Sequence, residues 1–158
     1  IAGIMGMHSD DERIRCSLEL ADEEGLVYSF LAEDIPGAHP NTARIRLKGE
    51  SGAECTVQGA SIGGGNILVT EINSMEVSFT GQYNTLMVLH HDKPGTIAAV
   101  TNFMAYSGLN IGNFRLTRPR KGKEAVMTIE VDGEVEEKLI QSLRILPNII
   151  NVVLVRAI

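Results

Sequence analysis

Between positions 43 and 48, apolar Ala43, Ile45 and Leu47 alternate with Arg44, Arg46 and Lys48. A period of two predicts a strand with one face in the core and the other in solvent. The turn Glu50-Ser51-Gly52 leads into a strand over 53–62, Gly63-Gly64-Gly65 into another over 66–72, and Met75, Val77 and Phe79 alternate in a fourth. Such a run of short strands and tight turns predicts an antiparallel meander. Ahead of it the period changes. Ser9-Asp10-Asp11-Glu12 reads as a capping box, Ile14, Leu18 and Ala21 follow at helical spacing, and Gly25 supplies a stop, predicting a helix over 10–24. A short strand over 27–32 follows, closed by a loop whose Pro36 and Pro40 disfavour helix.

The apolar alternation lapses at Thr80-Gly81-Gln82-Tyr83-Asn84, which places a domain boundary between 1–82 and 83–158. Beyond it the order is a strand over 85–91 and a helix over 96–107 with Ile97, Val100, Thr101 and Met104 on one face, closed by Gly108. Strands over 111–117 and 124–131 form a hairpin around the basic loop Arg118-Pro119-Arg120-Lys121-Gly122-Lys123. Val135, Leu139 and Leu143 mark a second helix that stops before Pro147, and 149–155 is the last strand. This β-α-β-β-α-β order predicts the ferredoxin-like arrangement, two helices on one face of a four-stranded sheet. The fold class is α+β.

Composition bounds the function. In 158 residues, 14 basic side chains stand against 20 acidic ones for a formal charge of -6, which argues against nucleic acid as the partner. No apolar run approaches the roughly 18 residues of a membrane span, and Ile1-Ala2-Gly3-Ile4 lacks the basic flank of a signal peptide, so the expected setting is the cytoplasm. The chain starts without Met, as expected of a processed or trimmed chain whose upstream residues are missing. Its two cysteines, Cys16 and Cys55, are too few for a disulfide framework, a Cys-rich zinc site or a four-iron cluster; both are expected as reduced core residues. No metal site is expected on this chain.

The run His91-Asp92-Lys93-Pro94-Gly95-Thr96-Ile97 joins a strand to a helix through a Pro-Gly turn. The first free N–H groups of a helix and its dipole suit a carboxylate, and Asp92 beside them suits an ammonium, so the junction fits an amino acid. The alternative is a connecting loop that binds nothing. His39-Pro40-Asn41-Thr42 gathers an imidazole, an amide and a hydroxyl at a loop–strand junction, either to bind polar ligand atoms or to cap a turn. Ser61-Ile62-Gly63-Gly64-Gly65-Asn66 lies between two strands, outside the strand–helix context of a nucleotide fingerprint, and reads as a hairpin or bulge open to close approach. His90 and His91, adjacent in a strand, face opposite sides and share no metal; one of them is expected to be buried and satisfied. The basic loop is either a solvated tip or a contact for an acidic partner. No HExxH, Gly-x-Ser-x-Gly or phosphate-loop motif is present, and the chain reads as a binder.

The run 91–97, Gly108-Leu109-Asn110-Ile111-Gly112 and Met127-Thr128-Ile129-Glu130-Val131-Asp132 together resemble an ACT domain, a regulatory module that commonly binds amino acids. His39-Pro40-Asn41-Thr42-Ala43, Ile62-Gly63-Gly64-Gly65 with Ile67, and Leu146-Pro147-Asn148-Ile149-Ile150 resemble, in order, the beta chain of the iron-sulfur L-serine dehydratases. The resemblance covers nearly the whole chain. It implies an allosteric substrate-binding-like domain, also found in some phosphoglycerate dehydrogenases, followed by an ACT domain. It also implies an L-serine ammonia-lyase forming pyruvate and ammonia, whose 4Fe-4S cluster sits on a separate alpha chain or domain as Lewis acid toward the serine hydroxyl. Implied effector-binding residues are His91, Asp92, Lys93, Pro94, Gly95, Thr96 and Ile97, with Asn110 from the same or a neighbouring module; L-serine or a related amino acid is the implied effector. Substrate-domain candidates are His39, Asn41, Thr42, Ser61, Gly63, Gly64 and Gly65, and the implied assembly is a homodimer through ACT domains beside the alpha chain. The Ser-Ser-Ser-His-Thr-Ala-Gly-like segment of family beta chains is absent from these 158 residues, so no catalytic residue is carried over. Two other classes fit the motifs: the C-terminal regulatory region of a phosphoglycerate dehydrogenase-like enzyme, and a stand-alone amino-acid-binding ACT protein.

Overall fold

A computed structural model describes residues 1–157, divided into two compact units, Ile1–Gly37 and Ala38–Ile158. In the first unit the expected single helix is a 3-10 turn, Glu12–Cys16, running into α1, Ser17–Glu23. The cap is Asp11 rather than Ser9: its carboxylate accepts the Arg13 N–H at 2.9 Å and grips the Arg13 guanidinium at 2.6 Å. Those two contacts hold the Asp11 carboxyl down at about 2. The helix closes where expected, with the Leu26 N–H donating to the Ala21 carbonyl and the Gly25 N–H to that of Asp22. The strand expected over 27–32 does not form. No neighbouring strand offers it a ladder, and Val27 and Leu31 stand 95% and 87% exposed.

The second unit holds two four-stranded antiparallel sheets. The first is the expected meander of β1 (Thr42–Lys48), β2 (Glu54–Gly63), β3 (Asn66–Ile72) and β4 (Met75–Phe79) in sequential order. Gly64 and Gly65, at φ +62° and +79° between the paired Gly63 and Asn66, make the two-residue turn whose twist suits a hairpin. The second sheet contains β5 (Asn84–His91), β6 (Ile111–Thr117), β7 (Glu124–Val131) and β8 (Ile149–Val155), in the order β6-β7-β5-β8. With α2 (Thr96–Tyr106) after β5 and α3 (Glu137–Arg144) after β7, this is the β-α-β-β-α-β module expected from the sequence.

Two cores flank the second sheet. On one face Leu86, Val88, Met127, Ile129 and Val152 pack with Val100 and Met104 of α2 and Ile140 and Leu143 of α3. On the other, Met87 and Val126 meet Val77 and Phe79 of β4, with Val69 and Ile72 of β3 around them. β7 is consequently buried along seven consecutive residues after Glu124. Two details depart from expectation. The buried stripe of α2 is Thr96, Val100 and Met104, leaving Ile97 39% exposed; and Ile45 and Leu47 of β1 are exposed, because the second sheet packs on β3 and β4 and β1 lies at the far edge.

Candidate effector-binding site

The β5–α2 junction is built from three segments distant in sequence. The His91 N–H donates to the Asn148 carbonyl at 2.9 Å, and the Asn148 amide donates to Thr96 Oγ1 at 3.4 Å, so the β8 entry is tied to the loop and to α2. Asn148 itself holds φ at +67°, a conformation Asn tolerates better than most residues. On the other side the Asp92 N–H donates to the Lys123 carbonyl at 2.7 Å. Asp92 Oδ2 accepts the Gly122 N–H at 2.7 Å and a longer contact from the Arg118 guanidinium at 3.4 Å. The Gly122 N–H, aided by the Arg118 charge, holds the Asp92 carboxyl below its ordinary value. One oxygen of the carboxylate expected to meet an ammonium is therefore engaged by the hairpin tip.

Gly95 caps α2 at φ +87° with no side chain in the cap. The Ala99 N–H donates to the Gly95 carbonyl and the Thr96 N–H to that of Lys93, so the loop turns tightly into the helix while no side chain covers its first amides. His90 was expected to be satisfied if buried. It is 2% exposed and its Nδ1 donates to the His91 carbonyl at 2.9 Å, since a carbonyl only accepts. In the neutral ring that leaves Nε2 as the acceptor, and Nε2 is buried without a partner among the described residues. His90, Asn148, Arg118 and Gly122, which the sequence places in other motifs, join this junction only in the fold. Asn110 lies beyond the other end of α2, an 11-residue helix about 16 Å long, and its amide donates to Asp132 Oδ2 at 2.6 Å. Within one chain it does not join the 91–97 loop.

The substrate-domain candidates do come together. Thr42 Oγ1 donates to the His39 carbonyl at 2.7 Å, the Asn41 N–H donates to His39 Nδ1 at 3.2 Å, and the Ser61 N–H donates to the Asn41 carbonyl at 3.0 Å. This puts the His39–Thr42 turn beside the end of β2, next to the Gly63-Gly64-Gly65 hairpin. Asn66, at the end of the glycine run, donates to the Gly63 carbonyl and accepts from Gln82 at 2.5 Å, and Gln82 joins this edge from the segment expected as a boundary. His39 and Thr42 cap this turn with their side chains on an exposed edge, and Asn41 joins it through its backbone.

No group of three or more potential ligating side chains gathers among the described residues. Cys16, whose thiol donates to the Arg13 carbonyl, lies in the first unit, and Cys55 in the second. Two thiols do not match the four ligands of a cubane cluster. Among the described residues no helix is long and apolar enough to cross a membrane.

The module spanning β5 to β8 is an ACT domain: residues 86–151 match the family described as the AHAS small subunit-like ACT domain. Over 152 residues the chain is 40% identical to the "Probable L-serine dehydratase, beta chain" of Bacillus subtilis (strain 168), covering 96% of this chain and 69% of that one. It is 32% identical over 140 residues to the L-serine dehydratase beta chain of Peptoniphilus asaccharolyticus, covering 88% of this chain and 63% of that one. The D-3-phosphoglycerate dehydrogenase of Bacillus subtilis (strain 168) shares 25% identity over 136 residues, only 26% of its own length. The chain belongs to the L-serine dehydratase beta-chain family.

Proposed function

We propose that this chain is the regulatory beta subunit of an L-serine dehydratase, which deaminates L-serine to pyruvate and ammonia in the cytoplasm. The observation that carries the reading is the 40% identity running through both sheets to a chain of that name. In this reading the 4Fe-4S cluster, a Lewis acid toward the serine hydroxyl, belongs to the alpha chain. The boundary near Gln82 separates an allosteric substrate-binding-like part from the ACT domain, and the His39 and triple-Gly edge faces the substrate side of the assembly.

The ACT junction reads L-serine or a related amino acid. Its carboxylate takes the uncapped amides of α2, and its ammonium takes the second oxygen of Asp92. A second ACT module, paired in a homodimer, brings Asn110 to the loop. Regulation requires the ligand to favour one arrangement over another, typically by about 1–3 kcal/mol. The match to part of a phosphoglycerate dehydrogenase supports the view that this region is a regulatory piece shared by unlike enzymes.

The test is reconstitution. The chain alone should form no pyruvate from L-serine, and addition of the alpha chain should produce it. Calorimetry should show heat with millimolar L-serine, lost on Asp92→Ala. No heat with any amino acid removes the effector site, and no pyruvate from the combined chains removes the dehydratase assignment.

A further inference from the structure

The tip of the β6–β7 hairpin carries Arg118, Arg120, Lys121 and Lys123, and Lys93 faces it across the β5–α2 loop. Five of the chain's 14 basic residues thus crowd one end of one sheet, in a chain whose overall charge is -6. Arg118 pairs with Asp92, whereas Lys93, Arg120, Lys121 and Lys123 are exposed and have no ion pair among the described residues. Lys93, Arg120 and Lys123 line an open groove of about 760 Å³ with His91, Pro119 and Glu124.

The tip is held in place. Two 2.7 Å bonds from its backbone to Asp92 fasten it, and the Lys123 N–H closes it on the Arg120 carbonyl at 3.3 Å. A basic loop fixed this way loses little freedom on docking. Exposed lysines grip a small anion weakly, since solvent and salt screen each surface pair. Several together create a field that steers and orients a surface bearing several carboxylates. A polyphosphate backbone fits less well, because the acidic remainder of the chain repels it.

We propose that the basic β6–β7 tip, together with Lys93, is the surface on which this chain docks an acidic segment of the dehydratase alpha chain. The proposal rests on the subunit reading above. It also gives the effector loop a mechanical outlet, because Asp92 belongs both to that loop and to the clamp that sets the tip.

The experiment measures association of the full chain with the alpha chain of the same organism, at about 50 and about 500 mM NaCl. The unaltered chain should associate about tenfold more slowly at the higher salt. The triple variant Arg120→Glu, Lys121→Glu, Lys123→Glu should be about tenfold slower already at the lower salt and have lost the salt dependence. Should that variant misfold by circular dichroism, Lys93→Gln with Lys123→Gln should show a smaller loss in the same direction. Association that charge reversal leaves unchanged overturns the docking surface alone. No association of the unaltered chain overturns the subunit reading and this surface with it. Binding to phosphatidylserine vesicles that charge reversal abolishes, with alpha-chain affinity intact, reassigns the tip to a membrane and overturns the proposal.

Discussion

Replacing Glu130 by alanine should loosen the connection between the two sheets. Glu130 sits on β7 at 7% exposure, and its carboxylate accepts from neutral donors only: the Asn113 amide at 2.8 Å, the Thr80 N–H at 3.3 Å and the Thr80 hydroxyl at 3.5 Å. Thr80 lies in the link between β4 and β5, so one buried side chain ties that link to β6 and β7. A hydrogen bond to a charged group contributes about 1.5–3 kcal/mol, and only the shortest of the three has full strength, giving a gross loss of about 2–4 kcal/mol. Removing a buried carboxylate also relieves its desolvation, which brings the net cost to about 2 kcal/mol. For a chain of this size that lowers Tm by about 4–8 °C. Urea unfolding followed by far-UV circular dichroism measures it, and a double-mutant cycle with Asn113→Ala should return a coupling of about 1 kcal/mol. Glu130→Gln, which turns one acceptor into a donor facing donors, should cost about 1 kcal/mol. A coupling near zero, or a Glu130→Ala variant as stable as the parent, refutes the tie.

Three further outcomes follow from the same geometry. Gly95→Ala places a Cβ where nothing lies within 4 Å, so its cost is purely the φ of +87°, about 1 kcal/mol, and Gly95→Asn should cost less in the same thermal melt. Asp92 titrates below its ordinary 3.8 in the folded chain, so the stability it contributes is complete above the unfolded carboxylate value and is lost as pH falls through the lower folded one. The Gly122 amide resonance should therefore shift with a midpoint below 3.8, and a midpoint at or above it means the clamp is open in solution. Met104→Ala, at a position fully buried between α2 and the sheet, should cost about 2–5 kcal/mol, whereas Ile97→Ala on the exposed side should cost under about 1 kcal/mol.

Periodicity made the eight strands and three α-helices of the described residues legible to within a few residues except where a partner decides the outcome. Val27 and Leu31 have strand-forming character, but a strand exists only with a ladder, and whether one is available is not written locally. Ile45 and Leu47 alternate correctly and still meet solvent, because the reach of the second sheet is a tertiary matter. On α2 the apolar Ile97 outranked Thr96 by composition, yet Thr96 turns inward, where its hydroxyl meets Asn148. The Pro-Gly junction was readable because its turn chemistry is local. Its clamp was not, since Asp92 and Gly122 stand 30 residues apart and only the hairpin brings them together.

The two central strands of the second sheet, β5 and β7, are packed on both faces. One face is roofed by α2 and α3 over Leu86, Val88, Met127 and Ile129, and on the other Met87 and Val126 pack against Val77 and Phe79 of β4, so β5 and β7 carry a core on each side. Cutting the chain at 82 would strip that second face and leave an apolar wall on an otherwise folded module, open to self-association. An ACT module of this kind is therefore not freely transplantable. Moved to another enzyme it must carry β3 and β4 with it, or find a replacement surface of the same shape.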